Sequence, residues 1–230
     1  MMPHQGSKDT YDFIAKWIAP DFFYSSQDVW HRMGMLGVFG DYVLSCTPGD
    51  VFEIGVGESS IYLTHVAKKY NRRIFHCDIE YGKIVNPMSV PGYLSDDLEF
   101  IDDKPELTEI VPSKRAFAIR ASSDDFFKKI KLPPIALAFI DGDHNYPQAK
   151  KDFYNILPYV VDDGYILLHD VYPIDEEWLP DNVCGTVYML RQEIEKDPSL
   201  QCLTLVKGTA MGVGLEIVRK KPKDLPYYKA

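Results

Sequence analysis

Short apolar, β-rich runs alternate with longer amphipathic stretches along most of this 230-residue chain. Such alternation is typical of parallel strands joined by helical crossovers. The last two runs are separated by a short Gly-containing link, which favours an antiparallel hairpin at one edge. The sequence therefore predicts a doubly wound α/β fold whose mostly parallel, seven-stranded sheet uses residues 51–54, 73–79, 116–120, 135–140, 164–168, 201–206 and 212–219.

The same pattern predicts how the rest of the chain is organised. Residues 1–50 form an N-terminal helical extension, 51–220 the core and 221–230 a tail of a single domain. Between residues 81 and 113 the periodicity is lost among four prolines and two glycines, so we expect a lid or loop there. Helices are predicted at 11–17, 29–43, 59–70, 124–130, 146–157 and 186–196.

Charge and composition narrow the function. The formal net charge of −9 and the pI near 5.1 oppose binding to nucleic acid or anionic membrane and favour a small-molecule substrate. The four cysteines show no metal-like or disulfide-like spacing. Residues 1–10 do not resemble a leader, and no run approaches the ~20 apolar residues of a membrane span. We expect a cytoplasmic protein, or a virus-encoded one acting there; the aromatic N-terminal helices could pair chains in a homo-oligomer.

The first strand ends in a glycine-containing loop, Glu53-Ile54-Gly55-Val56-Gly57-Glu58-Ser59-Ser60. Gly55 and Gly57 allow a tight turn and close approach to a ligand. A dinucleotide-binding fingerprint would have Gly or Ala where Ser60 stands, and the Glu53 carboxylate suits an amino group better than a pyrophosphate. A purely structural turn is the alternative interpretation of this loop.

Asp78 ends the second strand, 78 − 57 = 21 residues after Gly57. This spacing is near the ~20 residues expected of an acid that binds ribose hydroxyls. The alternative is an exposed loop acid, because Glu80 and the residues after Asp96 make the region acidic in any case. His31, His65 and His76 stand alone in predicted helices or strands and are interpreted as surface or core residues.

The loop and Asp78 together resemble the E/D-x-G-x-G motif and ribose-binding acid of class I S-adenosylmethionine-dependent methyltransferases, whose fold is Rossmann-like. The resemblance covers roughly residues 50 to 220. It implies that Glu53, Gly55, Gly57 and Asp78 bind S-adenosylmethionine. It also implies that Ser122 and Ser123, with Asp124, lie near the adenine, although Ser-Ser-Asp is equally a helix N-cap.

A second resemblance lies in residues 139–146 and 164–170, which contain Ile140-Asp141-Gly142-Asp143-His144 and His169-Asp170. They resemble a methyltransferase subgroup that modifies sugars and other small hydroxyl compounds, some of whose members use magnesium. Asp163-Gly164 replaces the usual Gly-Gly, and either pair can make the turn. The resemblance implies that Asp141, His169 and Asp170 hold Mg²⁺ and that Asp141 also lies at the cofactor.

Methyl transfer to a hydroxyl needs an in-line approach and removal of the hydroxyl proton. A divalent cation can raise the acidity of the hydroxyl, and its preferred ligands are carboxylate oxygens. His144 or Asp143 would then be the general base. The alternative for His144 and His169 is that each hydrogen-bonds the backbone and stiffens its loop.

Two other functions stay open at this point. A nicotinamide-dependent oxidoreductase also places a GxG loop and a ribose-binding acid about 20 residues apart. A non-catalytic module that binds S-adenosylmethionine would keep the fold without turnover. The acceptor is not specified by the sequence; Tyr146, Tyr172 and Trp178 are candidates to line its pocket, with the hydrophobic core as the alternative.

Overall fold

The computed structural model describes residues 30–80, 98–101, 115–173, 176–180, 183–205 and 214–221. The helix predicted at 11–17 and most of the irregular segment at 81–113 lie outside these residues. The predicted strands are all found, and one is added. The strands are β1 (Asp50–Ile54), β2 (Ile74–Asp78), β3 (Leu98–Ile101), β4 (Ala116–Arg120), β5 (Ile135–Ile140), β6 (Val160–His169), β7 (Leu200–Leu205) and β8 (Leu215–Lys220).

These strands form one sheet in the order β3-β4-β2-β1-β5-β6-β8-β7. The first six pair in parallel, whereas β8 is antiparallel to both β6 and β7. This confirms the predicted Rossmann-like, mostly parallel sheet with an antiparallel C-terminal hairpin. The number of strands predicted was seven, and the described residues contain eight.

The additional strand and the start of β6 are the two differences from the predicted sheet. β3 is a four-residue edge strand that pairs only with β4, inside the segment interpreted as irregular. β6 begins at Val160, four residues before the predicted start, because Val160 already pairs with Ile135. The register then shifts, and regular pairing continues from Tyr165, which is opposite Leu137. Gly164 lies within that irregularity, where a Cβ atom would come within 2.9 Å of the Ala136 carbonyl oxygen.

Helices cover both faces of the sheet. Each of the five described α-helices begins and ends within three residues of a predicted one. None of the helices in the described ranges is long and apolar enough to cross a membrane. The helices are α1 (Trp30–Cys46), α2 (Glu58–Lys69), α3 (Ser123–Lys129), α4 (Tyr146–Ile156) and α5 (Val187–Ile194), with 3₁₀ turns at Leu157–Tyr159 and Glu176–Trp178.

The two faces of the sheet bury separate apolar clusters. Phe52, Phe75 and Phe117 point to the face covered by α3, α4 and α5. Val51 and Ile74 point the other way, where α1 and α2 supply Leu36, Leu63 and Val66, among other residues. Alternate residues of β1 thus enter different cores, as expected of a strand buried on both sides. Because α1 shares its core with the sheet, it packs as part of the same domain.

The strand order reverses between β1 and β5. From this central pair the sheet extends on one side through β2 and on the other side through β6. In open α/β sheets, ligands bind outside the carboxyl ends of the strands at such a reversal. β1, β2, β5 and β6 are mutually parallel, so their carboxyl ends lie at one edge. The predicted site residues therefore follow the strand ends where a ligand crevice is expected.

Candidate active site

The glycine loop leaves β1 directly against the end of β5. Gly55 has a φ of 86°, and a Cβ atom there would come within 1.9 Å of the Asp141 carbonyl oxygen. Only glycine fits this close approach of two backbones. A Cβ atom on Gly57 would instead meet nothing within 4 Å. The predicted loop thus has one glycine required by packing and a second that faces open space.

Glu53 lies beneath this loop and is fully buried. Its Oε1 accepts a hydrogen bond from Ser59 Oγ at 2.5 Å. Its Oε2 accepts from Ser60 Oγ at 2.7 Å and from His76 Nδ1 at 2.5 Å. Glu53, Ser59, Ser60 and His76 are called the loop cluster below. The carboxylate therefore has protein partners on both oxygens, and its predicted contact with a ligand amino group stays a prediction.

His76 was predicted to be an isolated histidine. It is buried, as a core residue would be, but it is paired with Glu53 and also lies 3.1 Å from Thr64 Oγ1 through its Nε2 atom. The signal that could have found it is the strand register, in which Glu53 and His76 are directly opposite on β1 and β2.

Asp78 ends β2 beside the loop, as predicted. Its Oδ2 accepts a hydrogen bond from the Val56 amide at 2.7 Å, and its Oδ1 accepts from the Glu80 amide at 2.6 Å. Ionised carboxylate oxygens can accept further bonds, so these contacts leave capacity for hydroxyl donors. The ribose-binding role of Asp78 stays a prediction, with the carboxylate now placed next to the loop.

The Ser-Ser-Asp stretch begins α3. Ser122 Oγ accepts from the Asp125 amide at 3.1 Å, which is the N-cap that the sequence suggested. Ser123 Oγ and Asp124 Oδ1 accept from Gln148 Nε2 of α4, at 3.0 and 3.2 Å. Ser122 is therefore a cap, whereas Ser123 and Asp124 connect α3 to α4. The predicted adenine contact of Ser122 and Ser123 stays a prediction.

A second cluster lies across the strand reversal, at the ends of β5 and β6. Ligand atoms of Asp141, His144 and Asp170 lie within 4.8 Å of one another, so the three side chains could hold a metal ion. His144 Nε2 is 3.1 Å from Asp170 Oδ2 and 3.6 Å from Asp141 Oδ1. Together with His169, these residues are called the strand-end cluster below.

His169 contacts the same two carboxylates from the strand side. Its Nδ1 is 3.0 Å from Asp141 Oδ1 and 3.4 Å from Asp170 Oδ1. The side chain of His144 is 23% exposed and that of His169 only 11%. The structure thus brings all the residues predicted to bind metal together and adds His144 to the group.

In the strand-end cluster, the negative charge of Asp141 and the positive charges that His144 and His169 carry when protonated stabilise one another. A hydrogen bond to Asp141 and the nearby Asp170 charge raise the pKa of His144 against its partial burial. Burial opposes protonation of His169, but the charge of Asp141 and hydrogen bonds to both carboxylates raise its pKa well above the usual value. Burial likewise opposes ionisation of Asp141, but the two histidines outweigh it and lower the Asp141 pKa.

Asp143, the other predicted base, is turned toward its own loop. Its Oδ1 accepts a hydrogen bond from the Asn145 amide at 3.0 Å and also from the Asn145 side chain. Asn145 in turn caps α4 through the Gln148 amide. Asp143 therefore shapes the turn that carries His144, and no contact in the described residues joins it to the strand-end cluster.

The segment before α5 holds His144 in place, and the sequence interpretation missed this role. The Thr186 amide donates to the His144 carbonyl oxygen at 2.8 Å, and Thr186 Oγ1 accepts from the Tyr146 amide at 2.8 Å. Gly185 has a φ of 55°, and a Cβ atom there would lie 2.0 Å from the His144 carbonyl oxygen. Cys184 Sγ lies 3.8 Å from Asp170 Oδ1. The only signal in the sequence is a glycine before a predicted helix.

Two of the predicted pocket aromatics already have protein partners. The Tyr146 hydroxyl donates to Glu193 of α5, and the Arg191 guanidinium lies 4.8 Å from the centre of the Tyr172 ring. Trp178 lies in the 3₁₀ turn after β6. Their role toward an acceptor stays a prediction.

Residues 52–171 match a family model described as a methyltransferase domain, which is more than half of the chain. The chain belongs to this methyltransferase family. It is an S-adenosylmethionine-dependent methyltransferase, as the glycine loop and Asp78 predicted, and not the nicotinamide-dependent oxidoreductase that the same spacing allowed. Among curated proteins, no sequence matches this chain.

Solved structures of low sequence identity share the fold of this methyltransferase. Cofactor-bound Rv0187 from MTB has a TM-score of 0.62 at 15% identity, covering 96% of this chain and 99% of its own. A candidate caffeoyl-CoA O-methyltransferase from Staphylococcus aureus has 0.59 at 13%, covering 95% and 94%. MycE from the mycinamycin biosynthetic pathway, in complex with Mg, SAH and Mycinamycin VI, has 0.51 at 17%, covering 95% and 57%.

Proposed function

We propose that this methyltransferase transfers the methyl group to a hydroxyl of a small molecule, such as a sugar or a natural product, with assistance from Mg²⁺. The observation that carries the proposal is the strand-end cluster, which puts two carboxylates and two imidazoles at the edge of the sheet beside the glycine loop. The O-methyltransferase and the Mg-containing MycE complex among the similar folds support the same reaction class.

The cofactor would lie along the glycine loop. Gly57 faces open space, so the backbone there can approach the methionine part of S-adenosylmethionine. Asp78 would accept hydrogen bonds from the ribose, and Ser122 and Ser123 would lie on the adenine side. Asp141 adjoins the loop through its carbonyl oxygen at Gly55, so a cofactor bound along the loop would lie next to the strand-end cluster.

The donor set of the strand-end cluster fits a divalent cation. Carboxylate oxygens are the usual ligands of Mg²⁺, and imidazole nitrogen is a common ligand of other divalent metals. Asp141, Asp170 and His169 would hold the ion. A bound cation would stabilise the deprotonated form of the acceptor hydroxyl. This chemistry suits the position of the cluster, beyond the end of the cofactor loop.

His144 would then act as the general base, because a cation bound by Asp141 and Asp170 would offset the carboxylate charge that raises the pKa of His144 and would favour the neutral imidazole. It is the more exposed of the two histidines and lies on a loop beyond the strand, where an acceptor can reach Nε2. The acceptor oxygen would attack the methyl carbon, the bond from carbon to sulfur would break, and the hydroxyl proton would pass to His144. Asp170, 3.1 Å from Nε2, would stabilise the protonated imidazole that results.

The experiment is methyl transfer from labelled S-adenosylmethionine to a panel of sugars and catechols, with Mg²⁺ or with a chelator. We expect labelled methyl ethers, formed at least about tenfold more slowly with the chelator. Transfer to RNA or protein and to none of the hydroxyl compounds would contradict the acceptor class. Equal rates with Mg²⁺ and chelator would remove the cation from the proposal.

Magnesium titrations of His144→Gln and His169→Gln separate the roles of the two histidines. We expect His169→Gln to weaken magnesium binding by at least about tenfold and His144→Gln to leave it nearly unchanged. The opposite result would make His144 the ligand, as its distances to both carboxylates also allow.

A further inference from the structure

A continuous chain of hydrogen bonds runs from the core of this methyltransferase to the backbone of its cofactor loop. It begins at Thr64 Oγ1, 3.1 Å from His76 Nε2, and crosses from His76 Nδ1 to Glu53 at 2.5 Å. Ser60 Oγ donates to Glu53 at 2.7 Å and accepts from the Gly57 amide at 3.1 Å. The chain therefore ends on the loop glycine that faces open space.

Three elements contribute to this chain of hydrogen bonds: β1, β2 and α2. Glu53 and His76 are opposite one another on the central strands β1 and β2, and they are 0% and 3% exposed. Thr64, Ser59 and Ser60 belong to α2, whose N-terminus is the loop itself. Ser60 is the third residue of α2 and reaches back to the N-cap amide, as in a capping box. The loop cluster thus fixes the start of α2 against both strands.

We propose that His76 is a positioning residue for S-adenosylmethionine, which acts through Glu53 and Ser60 to hold the Gly57 backbone in its ligand-binding position. The inference rests on the assignment of this loop as the cofactor site. It gives Glu53 an indirect role: the carboxylate orders the loop from below and contacts no ligand. His76 supplies the N–H that fixes the Glu53 carboxylate while both serines bind it.

The alternative is that the pair only stabilises the sheet, and the same two strands provide a control for it. At their amino ends, Asp50 accepts from the Arg73 amide at 2.9 Å and pairs with its guanidinium at 2.6 Å. That pair also joins β1 to the start of β2, but none of its contacts reaches the cofactor loop. Asp50→Ala therefore tests loss of a bridge between these strands without disturbing the loop.

The test is calorimetric titration of S-adenosylhomocysteine into the full-length wild-type protein and its variants, with urea unfolding of each. We expect His76→Leu to weaken binding by at least about tenfold, as a small misplacement of binding groups does. His76→Asn, whose amide N–H can replace Nδ1–H, should restore affinity to within about threefold. Asp50→Ala should lower the urea midpoint and leave the affinity unchanged.

Ser60→Ala keeps the test decisive if His76→Leu does not fold. Ser60 is only partly buried, and its removal breaks the link to Gly57 while Ser59 and His76 still bind Glu53. We expect weaker S-adenosylhomocysteine binding with a nearly unchanged urea midpoint. Folded Ser60→Ala and His76→Leu variants that bind like wild type would overturn the positioning role. A wild-type protein that binds no S-adenosylhomocysteine would instead refute the cofactor assignment itself.

Discussion

The loop cluster and the strand-end cluster contain the same chemical groups in opposite settings. The loop cluster combines one carboxylate with one imidazole, and the strand-end cluster combines two of each. The two clusters lie toward the carboxyl ends of the strands, on opposite sides of the reversal between β1 and β5. In the loop cluster Glu53 is fully buried and bonded by three side chains. In the strand-end cluster the Asp141 and His144 side chains are 21% and 23% exposed, and their ligand atoms face one another.

This difference in burial and in hydrogen-bond partners indicates that the two clusters have different roles in the site. A buried carboxylate with a partner on each oxygen can hold the neighbouring backbone in place. Partly exposed groups whose pKa values are shifted by each other can bind an ion or accept a proton. We therefore propose that the loop cluster orders the glycine loop and that chemistry occurs at the strand-end cluster.

The largest effect is expected at the junction between the clusters. Gly55→Ala puts a Cβ atom 1.9 Å from the Asp141 carbonyl oxygen at a positive φ, so the two strand ends must separate. We expect a loss of more than about 3 kcal/mol in the free energy of unfolding, measured with urea. Gly57→Ala is the matched control, with an expected change below about 0.5 kcal/mol. Equal effects of the two substitutions would contradict the packing described for the loop.

Breaking the loop cluster is the next largest effect. Glu53→Ala leaves His76 and two serine hydroxyls without their buried partner. Leaving buried polar groups without hydrogen-bond partners costs about 1–3 kcal/mol for each group, so the urea midpoint should fall strongly. Stability close to that of wild type would show that water enters the cluster and that it is not closed.

The strand-end cluster should respond differently to the loss of a carboxylate. Asp170 has a φ of 58°, a conformation that Asn tolerates, so Asp170→Asn should lower the unfolding free energy less than Glu53→Ala does. Its affinity for magnesium, measured by calorimetry, should fall by at least about tenfold. Asp143→Asn is the control, because its contacts are confined to the Asn145 turn. Equal losses in both variants would argue against a cation at Asp170.

The pH dependence of stability is the smallest of these effects. The pKa values of His144 and His169 are raised in the folded protein, so their stabilisation is fully present below the unfolded value of about 6.5. It is lost as the pH rises through the folded values. With chelator present, the unfolding free energy should fall as the pH rises above about 6.5, and it should fall less in His144→Gln. A rise in stability over that range would contradict the charged pairs with Asp141 and Asp170.

Local sequence patterns predicted much of this structure. The apolar run at 135–140 is buried along its whole length, and the loop of Gly55 and Gly57 joins a strand to a helix as its glycines indicated. Both features depend on neighbouring residues alone. The short strand β3 was not predicted, because its four residues lie within a proline-rich segment. Among the described strands it pairs with β4 alone.

Contacts between distant residues account for what the sequence did not predict at the site. Glu53 meets His76 only because β1 and β2 pair in one particular register, over 23 residues of chain. His144 lies beside Asp170 because Gly185 and Thr186, which follow β6 in the chain, pack against the His144 backbone. No periodicity or motif encodes such pairings, so an isolated histidine in a predicted strand could not be distinguished from a member of the loop cluster.

Titration of S-adenosylhomocysteine into wild type, Ser60→Ala and Asp170→Asn tests the division between the clusters most directly. We expect Ser60→Ala, which breaks the link from the loop cluster to Gly57, to weaken binding by about tenfold, or about 1.4 kcal/mol. Asp170→Asn, which changes the strand-end cluster, should bind within about twofold of wild type. Weak binding by Asp170→Asn together with wild-type binding by Ser60→Ala would contradict the separate roles of the two clusters.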